Sequence, residues 1–249
     1  MDALAATTVT AMNATQPASA AGDVTGGGAA AATSRITADH PGVNELFALL
    51  AYGEVAAFYR LTEEARMAPD LGGRINLACM AAAEMGHYEL LRDSLQARGV
   101  DVVAAMTRHA SALENYHRLT TPSTWLEALV KTYVGDALAA DFYLEIADVL
   151  PDEVAGVVRA VLSETGHSQF VVAEVRAAVT SSGRQRSRLA LWSRRLLGEA
   201  ITQAQYVLAE HDELVDLVLS GPGGLGQVTD FFGRLQRTHD DRMRQLGLA

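Results

Sequence analysis

The tetrapeptide Glu84-Met85-Gly86-His87 returns, with one change, 80 residues later as Glu164-Thr165-Gly166-His167. Both copies lie in long segments whose apolar residues recur with a helical period. A glycine inside a helix costs about 1 kcal/mol relative to alanine, so helix stability explains neither copy. Glu and His three residues apart share one helix face. The match extends upstream. Glu54 follows Gly53 and precedes Glu84 by 30 residues; Asp136 follows Gly135 and precedes Glu164 by 28. The chain therefore carries one plan twice: a helix with one carboxylate, then a helix with Glu-x-x-His.

Turn signals divide the chain around these motifs. Helices are predicted over about 43–66, 71–98, 122–149 and 151–181, with Thr121-Pro122 and Pro151 as starts and Gly99 as a stop. Two more follow, over about 185–219 and 225–246. Short turns make the first two helices antiparallel, and likewise the third and fourth. The connection 99–121, with a short helix around 101–116, can run the roughly 40 Å length of such helices. The expected fold is all-α: a four-helix bundle with one long crossover over 41–182, and a C-terminal helical extension, 183–249, packed on it. Apolar residues at 49% with aromatics at only 6% fit closely packed helices.

Residues 1–40 are Ala-, Gly-, Thr- and Ser-rich and read as a disordered tail without the basic and apolar regions of a signal peptide; Met12 offers an alternative start. No run of 18 apolar residues suggests a membrane span. The single cysteine, Cys79, excludes an internal disulfide, fits a reducing cytoplasm and reads as a small buried apolar residue. The net charge of −10 argues against general nucleic-acid binding.

The repeat supplies Glu54, Glu84, His87, Asp136, Glu164 and His167: four carboxylates and two imidazoles. Carboxylate oxygens are hard donors that suit iron and manganese and bridge two ions, and each imidazole adds a neutral nitrogen. Four carboxylates balance two divalent ions, whereas without metal their burial together is costly. Asp141 and Glu145 also lie on the third helix, but about 140° and 180° around it from Asp136, so only one of the three can face inward. Asp136 matches Glu54 in the repeat and is the one chosen. The glycines beside the histidines would allow close helix approach or leave room at the metals. His109 and His117 fall in the crossover and His211 in an acidic stretch; these and His239 read as packing or surface residues. Tyr133 and Tyr143 fall near the Asp136 face and read as core.

This constellation resembles the ferritin-like di-iron superfamily, and over 43–180 it looks most like the MiaE-type tRNA hydroxylases and their bacterial relatives. The residues that carry the resemblance are Glu54, Glu84 with His87, Asp136, and Glu164 with His167. It implies two iron ions, with manganese as the alternative, O2 as co-substrate, an external electron donor, and hydroxylation of a modified tRNA nucleoside. Asp136 departs from the family's usual Glu. Arg184, Arg186, Arg188, Arg194 and Arg195 cluster around the start of the fifth helix, where cations oppose the helix dipole, which points to an anionic partner such as tRNA. Two other readings of the same residues are an iron oxidase, peroxidase or storage protein, and a non-enzymatic helical interaction protein. The oligomeric state stays open.

Overall fold

The computed structural model describes residues 36–163, 168–219 and 224–249. Among these residues there are ten α-helices and no strand. They are α1 (Pro41–Glu64), α2 (Leu71–Ala97), α3 (Val102–Thr107), α4 (Ala110–Leu119), α5 (Trp125–Ala147), α6 (Asp152–Val161), α7 (Ser168–Ser181), α8 (Gly183–Glu210), α9 (Asp212–Leu219) and α10 (Gly224–Leu246). None is long and apolar enough to cross a membrane. The predicted tail lies almost wholly outside the described residues.

Side-chain caps fix where the helices start. Asp70 accepts from the Gly73 amide at 2.8 Å to open α2, and Asp101 accepts from Ala104 at 3.1 Å to open α3. Each satisfies an amide that the first helical turn leaves without a partner. The expected start at Thr121-Pro122 is displaced to Thr124. Thr124 accepts from the Glu127 amide, while the Glu127 carboxylate reaches back to the Ser123 amide at 2.8 Å and its hydroxyl at 2.6 Å. That reciprocal arrangement outcompetes the earlier Thr-Pro. Gly99, at φ 72°, takes the left-handed turn that ends α2.

Three expected helices are each two. The crossover carries α3 and α4. The fifth is broken at His211, whose backbone is extended (φ −131°, ψ 91°), giving α8 and α9. The fourth ends at Val161, resumes at Ser168, and has Ser163 outside any helix. Ser163, where the chain leaves α6, is a weak helix former. The corresponding stretch of α2 follows Ala81-Ala82-Ala83 and continues as helix.

Helices α1 and α2 pack along each other; α6 bridges α2 and α5, and α7 lies on α5. The later helices close over this bundle, α8 against α4 and α5, α9 against α1, and α10 against α5. On α5, the Glu127 carbonyl accepts from the Trp192 indole at 2.9 Å, and Asp141 takes both arms of Arg242 at 2.6 and 2.7 Å. The apolar core falls into two clusters. One gathers around Val43 to Ala51 of α1, the other around Leu61, Leu77 and the valines of α5 and α7. Glu54 lies between them on α1. Cys79 corrects its sequence reading: it is exposed, because Leu77, Met80 and Ala81 form the buried face of α2 and position 79 points away.

Candidate metal centre

At the seam between the two apolar clusters lies a cavity of about 620 Å³. Glu54 of α1, Glu84 and His87 of α2 and Asp136 of α5 all line it. So do Leu50, Met80, Leu113, Phe142 and Ile201, which make much of its wall apolar.

Glu54, Glu84 and His87 each offer a donor atom, and these atoms lie within 4.8 Å of one another. His87 Nδ1 is 3.4 Å from Glu54 Oε2 and 3.4 Å from Glu84 Oε2. The i, i+3 spacing on α2 points Glu84 and His87 the same way, and the packing of α1 brings Glu54 to them. Burial, with Glu84 beside it, pushes Glu54 up to about 8 against the pull of His87. Burial would raise Glu84 too, but His87, the Glu54 carboxyl and Arg60 hold it below the usual carboxylate range. Hydrogen bonding to Glu54 and Glu84 pushes His87 up to about 10. Free of metal, the cluster therefore holds a proton on His87 and shares another between two carboxyls. Protons do there what a cation would do better. Two carboxylates and an imidazole converging at a cavity wall fit one hard divalent ion.

Asp136 faces the same cavity but is differently committed. Its Oδ1 accepts from Arg60 Nη2 at 3.3 Å. The 44% of its side chain that is accessible faces the cavity interior. Burial, with Glu84 and Glu64 nearby, pushes it up to about 7 despite Arg60. Arg60 is itself buried and also donates to Glu64 Oε2 at 3.1 Å and to Thr132 Oγ1 at 2.9 Å. Lys131 Nζ stands 3.8 Å from Glu64 Oε1, and burial with Arg60 pushes that lysine down to about 8. Burial, with Arg60 and Lys131, pushes His117 down to about 3, so it is neutral. Burial and Glu54 raise the Tyr143 phenol.

Asp141 and Glu145 are bound to Arg242 and Arg234 of α10, so neither competes with Asp136 for the cavity. Glu164 and His167 lie outside the described residues. Of the five arginines at the start of α8, two have partners within the chain. Arg188 Nε donates to Glu127 Oε1 at 2.9 Å, and Arg195 bonds the Leu119 carbonyl. Arg184, Arg186 and Arg194 are exposed.

Arg60 and Lys131 had no place in the sequence-based ligand set. Arg60 with Glu64 four residues on reads as a solvated helix pair. Lys131 left a signal: it is the chain's only lysine and stands in the apolar run Leu129-Val130-Lys131.

Helices crossed over in this way around carboxylate and imidazole donors define the ferritin-like class of bundles. Comparison with known families agrees: the profile described as "Ferritin-like domain, actinomycetes" matches residues 38–221. The chain belongs to that family of ferritin-like domains. No curated protein matches it.

Proposed function

We propose that this chain is an O2-dependent hydroxylase of the ferritin-like class, using iron, or manganese as the alternative. Glu54, Glu84 and His87 would hold the first ion, and Asp136, Glu164 and His167 are the proposed donors for the second. The observation that carries the reading is the meeting of Glu54, Glu84 and His87 at the wall of a largely apolar 620 Å³ cavity. Metal bound there supplies the reduction of O2 and the oxidation of an unactivated C–H bond. One oxygen atom ends in the product hydroxyl and the other in water, with two electrons from an external donor. The chain's own residues do the rest. Leu50, Phe142 and Ile201 hold an apolar substrate group and exclude water. A storage protein has no use for an apolar chamber, which favours the enzyme over an iron store.

The substrate we propose is a modified tRNA nucleoside, as in MiaE-type enzymes. Helix α8 supports this from both ends. Leu197 and Ile201 line the cavity, and exposed Arg184 and Arg186 stand about 22 Å away along the same helix. That is a suitable reach for an extruded base and its neighbouring phosphates.

Iron content and O2 uptake of the purified chain test the oxidase. A metal-free protein that stays inactive after loading with Fe(II) and a reductant overturns it. Nucleoside mass spectrometry of tRNA from cells with and without the gene tests the substrate. Identical profiles, where isopentenylated adenosine is present, reject tRNA and leave the oxidase.

A further inference from the structure

A second cluster of metal donors lies outside the bundle cavity. Glu45 sits in the first turns of α1, His109 at the start of α4, and His211 at the break between α8 and α9. Each offers one donor atom, and the three lie within 4.8 Å of one another. Glu45 Oε2 is 3.0 Å from His109 Nε2 and 3.8 Å from His211 Nδ1. The two imidazole rings are in contact, tilted at 44° with centroids 4.3 Å apart.

Burial leaves these groups few partners besides one another. The His109 side chain is fully inaccessible; its Nδ1 has no hydrogen-bond partner among the described residues, and its Nε2 has the Glu45 carboxylate in reach. Glu45 Oε2 faces the two imidazoles, while Arg108 holds the other oxygen of that carboxylate. One donor atom from each of Glu45, His109 and His211 therefore meets at a single buried point, an arrangement that a shared cation would satisfy.

The geometry points to a Zn(II) site formed by Glu45, His109 and His211, with water in the fourth position. Donors about 2.0–2.2 Å from a tetrahedral ion stand roughly 3.3–3.6 Å from each other, so the observed 3.0 and 3.8 Å need only small rotamer adjustments. Nine residues along α1 separate Glu45 from Glu54, about 14 Å, which makes this site independent of the bundle centre. The ion would clip together α1, the crossover and the α8–α9 junction. Asp212 and Glu213 begin α9 immediately after His211, whose backbone is extended at the break and whose ring lies beside Glu45.

Zn(II) and Co(II) titrations of the full chain test the site. In the Glu54→Ala/Glu84→Ala protein, whose bundle site is disabled, one Zn(II) should still bind in competition with a chromophoric chelator. Co(II) should give the visible spectrum of a four-coordinate site. His211→Ala, which changes a side chain at a helix break, should weaken zinc more than about a hundredfold, since even groups that only orient ligands are worth 10–100-fold. If the double variant does not fold, the same comparison is read as one equivalent lost from the otherwise unaltered chain on His211→Ala. Zinc stoichiometry and cobalt spectrum unchanged by His211→Ala overturn the proposal, and so does a folded double variant that binds no zinc.

Discussion

The two described walls of the bundle cavity handle the same problem in different ways. Between α1 and α2, two carboxyls and an imidazole meet with no basic side chain bonded to them, and they hold protons in place of a cation. On α5, Asp136 accepts from the buried guanidinium of Arg60, which also holds Glu64, and Lys131 stands beside that same Glu64. An entering metal meets protons on one wall, which it can displace. On the other it meets fixed positive charge, which it cannot. On the proposed reading, the same ligand plan would yield two positions of unequal affinity, with the first ion expected between α1 and α2.

Replacing the guanidinium should change this contrast most. Arg60→Met leaves Glu64 and Asp136 buried without their partner, and breaking a buried ion pair from one side costs about 3–5 kcal/mol. The metal-free variant should lose about that much in urea unfolding. It should also gain more from metal than the wild type does, because Asp136 is released to bind it. A smaller metal-dependent gain than wild type would mean that Arg60 supports the centre instead of competing with it.

The next effect belongs to the α1–α2 wall. A ligand that binds only the native state at a hundredfold excess over its Kd stabilises by about 2.7 kcal/mol, or roughly 5–10 °C in Tm for a chain of this size. Glu54→Ala and Glu84→Ala should each remove most of the rise that Fe(II) or Mn(II) produces in thermal scans. An undiminished rise in both variants would locate the metal elsewhere.

The pH dependence sharpens the comparison further. His87 and Glu54 have folded pKa values of about 10 and 8, raised from 6.5 and 4.5. The native state therefore holds protons that the unfolded chain releases, and the stability they lend is lost as pH rises. Between pH 6.5 and 8 both groups act in that direction. The metal-free protein should lose on the order of 1–2 kcal/mol over this window, after allowance for solvent around the half-buried His87. With metal bound the slope should reverse, because metal and protons compete for the same atoms. Thermal scans in chelator and in Mn(II) would read both slopes, and His87→Ala should flatten the first. Parallel slopes with and without metal would remove His87 from the ligand set.

How much of this the sequence carries depends on the kind of interaction. The meeting of Glu84 with His87 follows from helical spacing, and the partnership with Glu54 follows from the repeat. The all-α bundle with its crossover follows from apolar periodicity and loop length. What the Asp136 carboxylate touches does not follow, because Arg60 is six residues beyond Glu54 and reaches Asp136 only through the packing of α1 on α5. Nor does the pairing of Glu45 with His109 and His211, which come from three distant segments without a shared motif. Local competition decided a helix end: the Thr124–Glu127 cap displaced Thr121-Pro122.

The smallest expected effect concerns the glycine that first marked the motif. Gly86 is exposed in the middle of α2, and a Cβ built there meets no described atom within 4 Å. Close helix approach therefore does not account for it, nor at Gly53 and Gly135, where an added Cβ would make only ordinary contacts of 3.6 Å. Helix propensity alone then sets the outcome of Gly86→Ala, a gain of about 0.8–1 kcal/mol in the metal-free protein. Metal affinity should be unchanged if the glycine only softens the helix beside His87. A stabilised variant with weakened metal binding would show that the ligands must shift as the ion enters, and that α2 keeps a weak point in its middle to let His87 follow. Urea unfolding of the metal-free protein and Mn(II) titration of the same variant separate the two, since propensity acts on the first and ligand movement on the second.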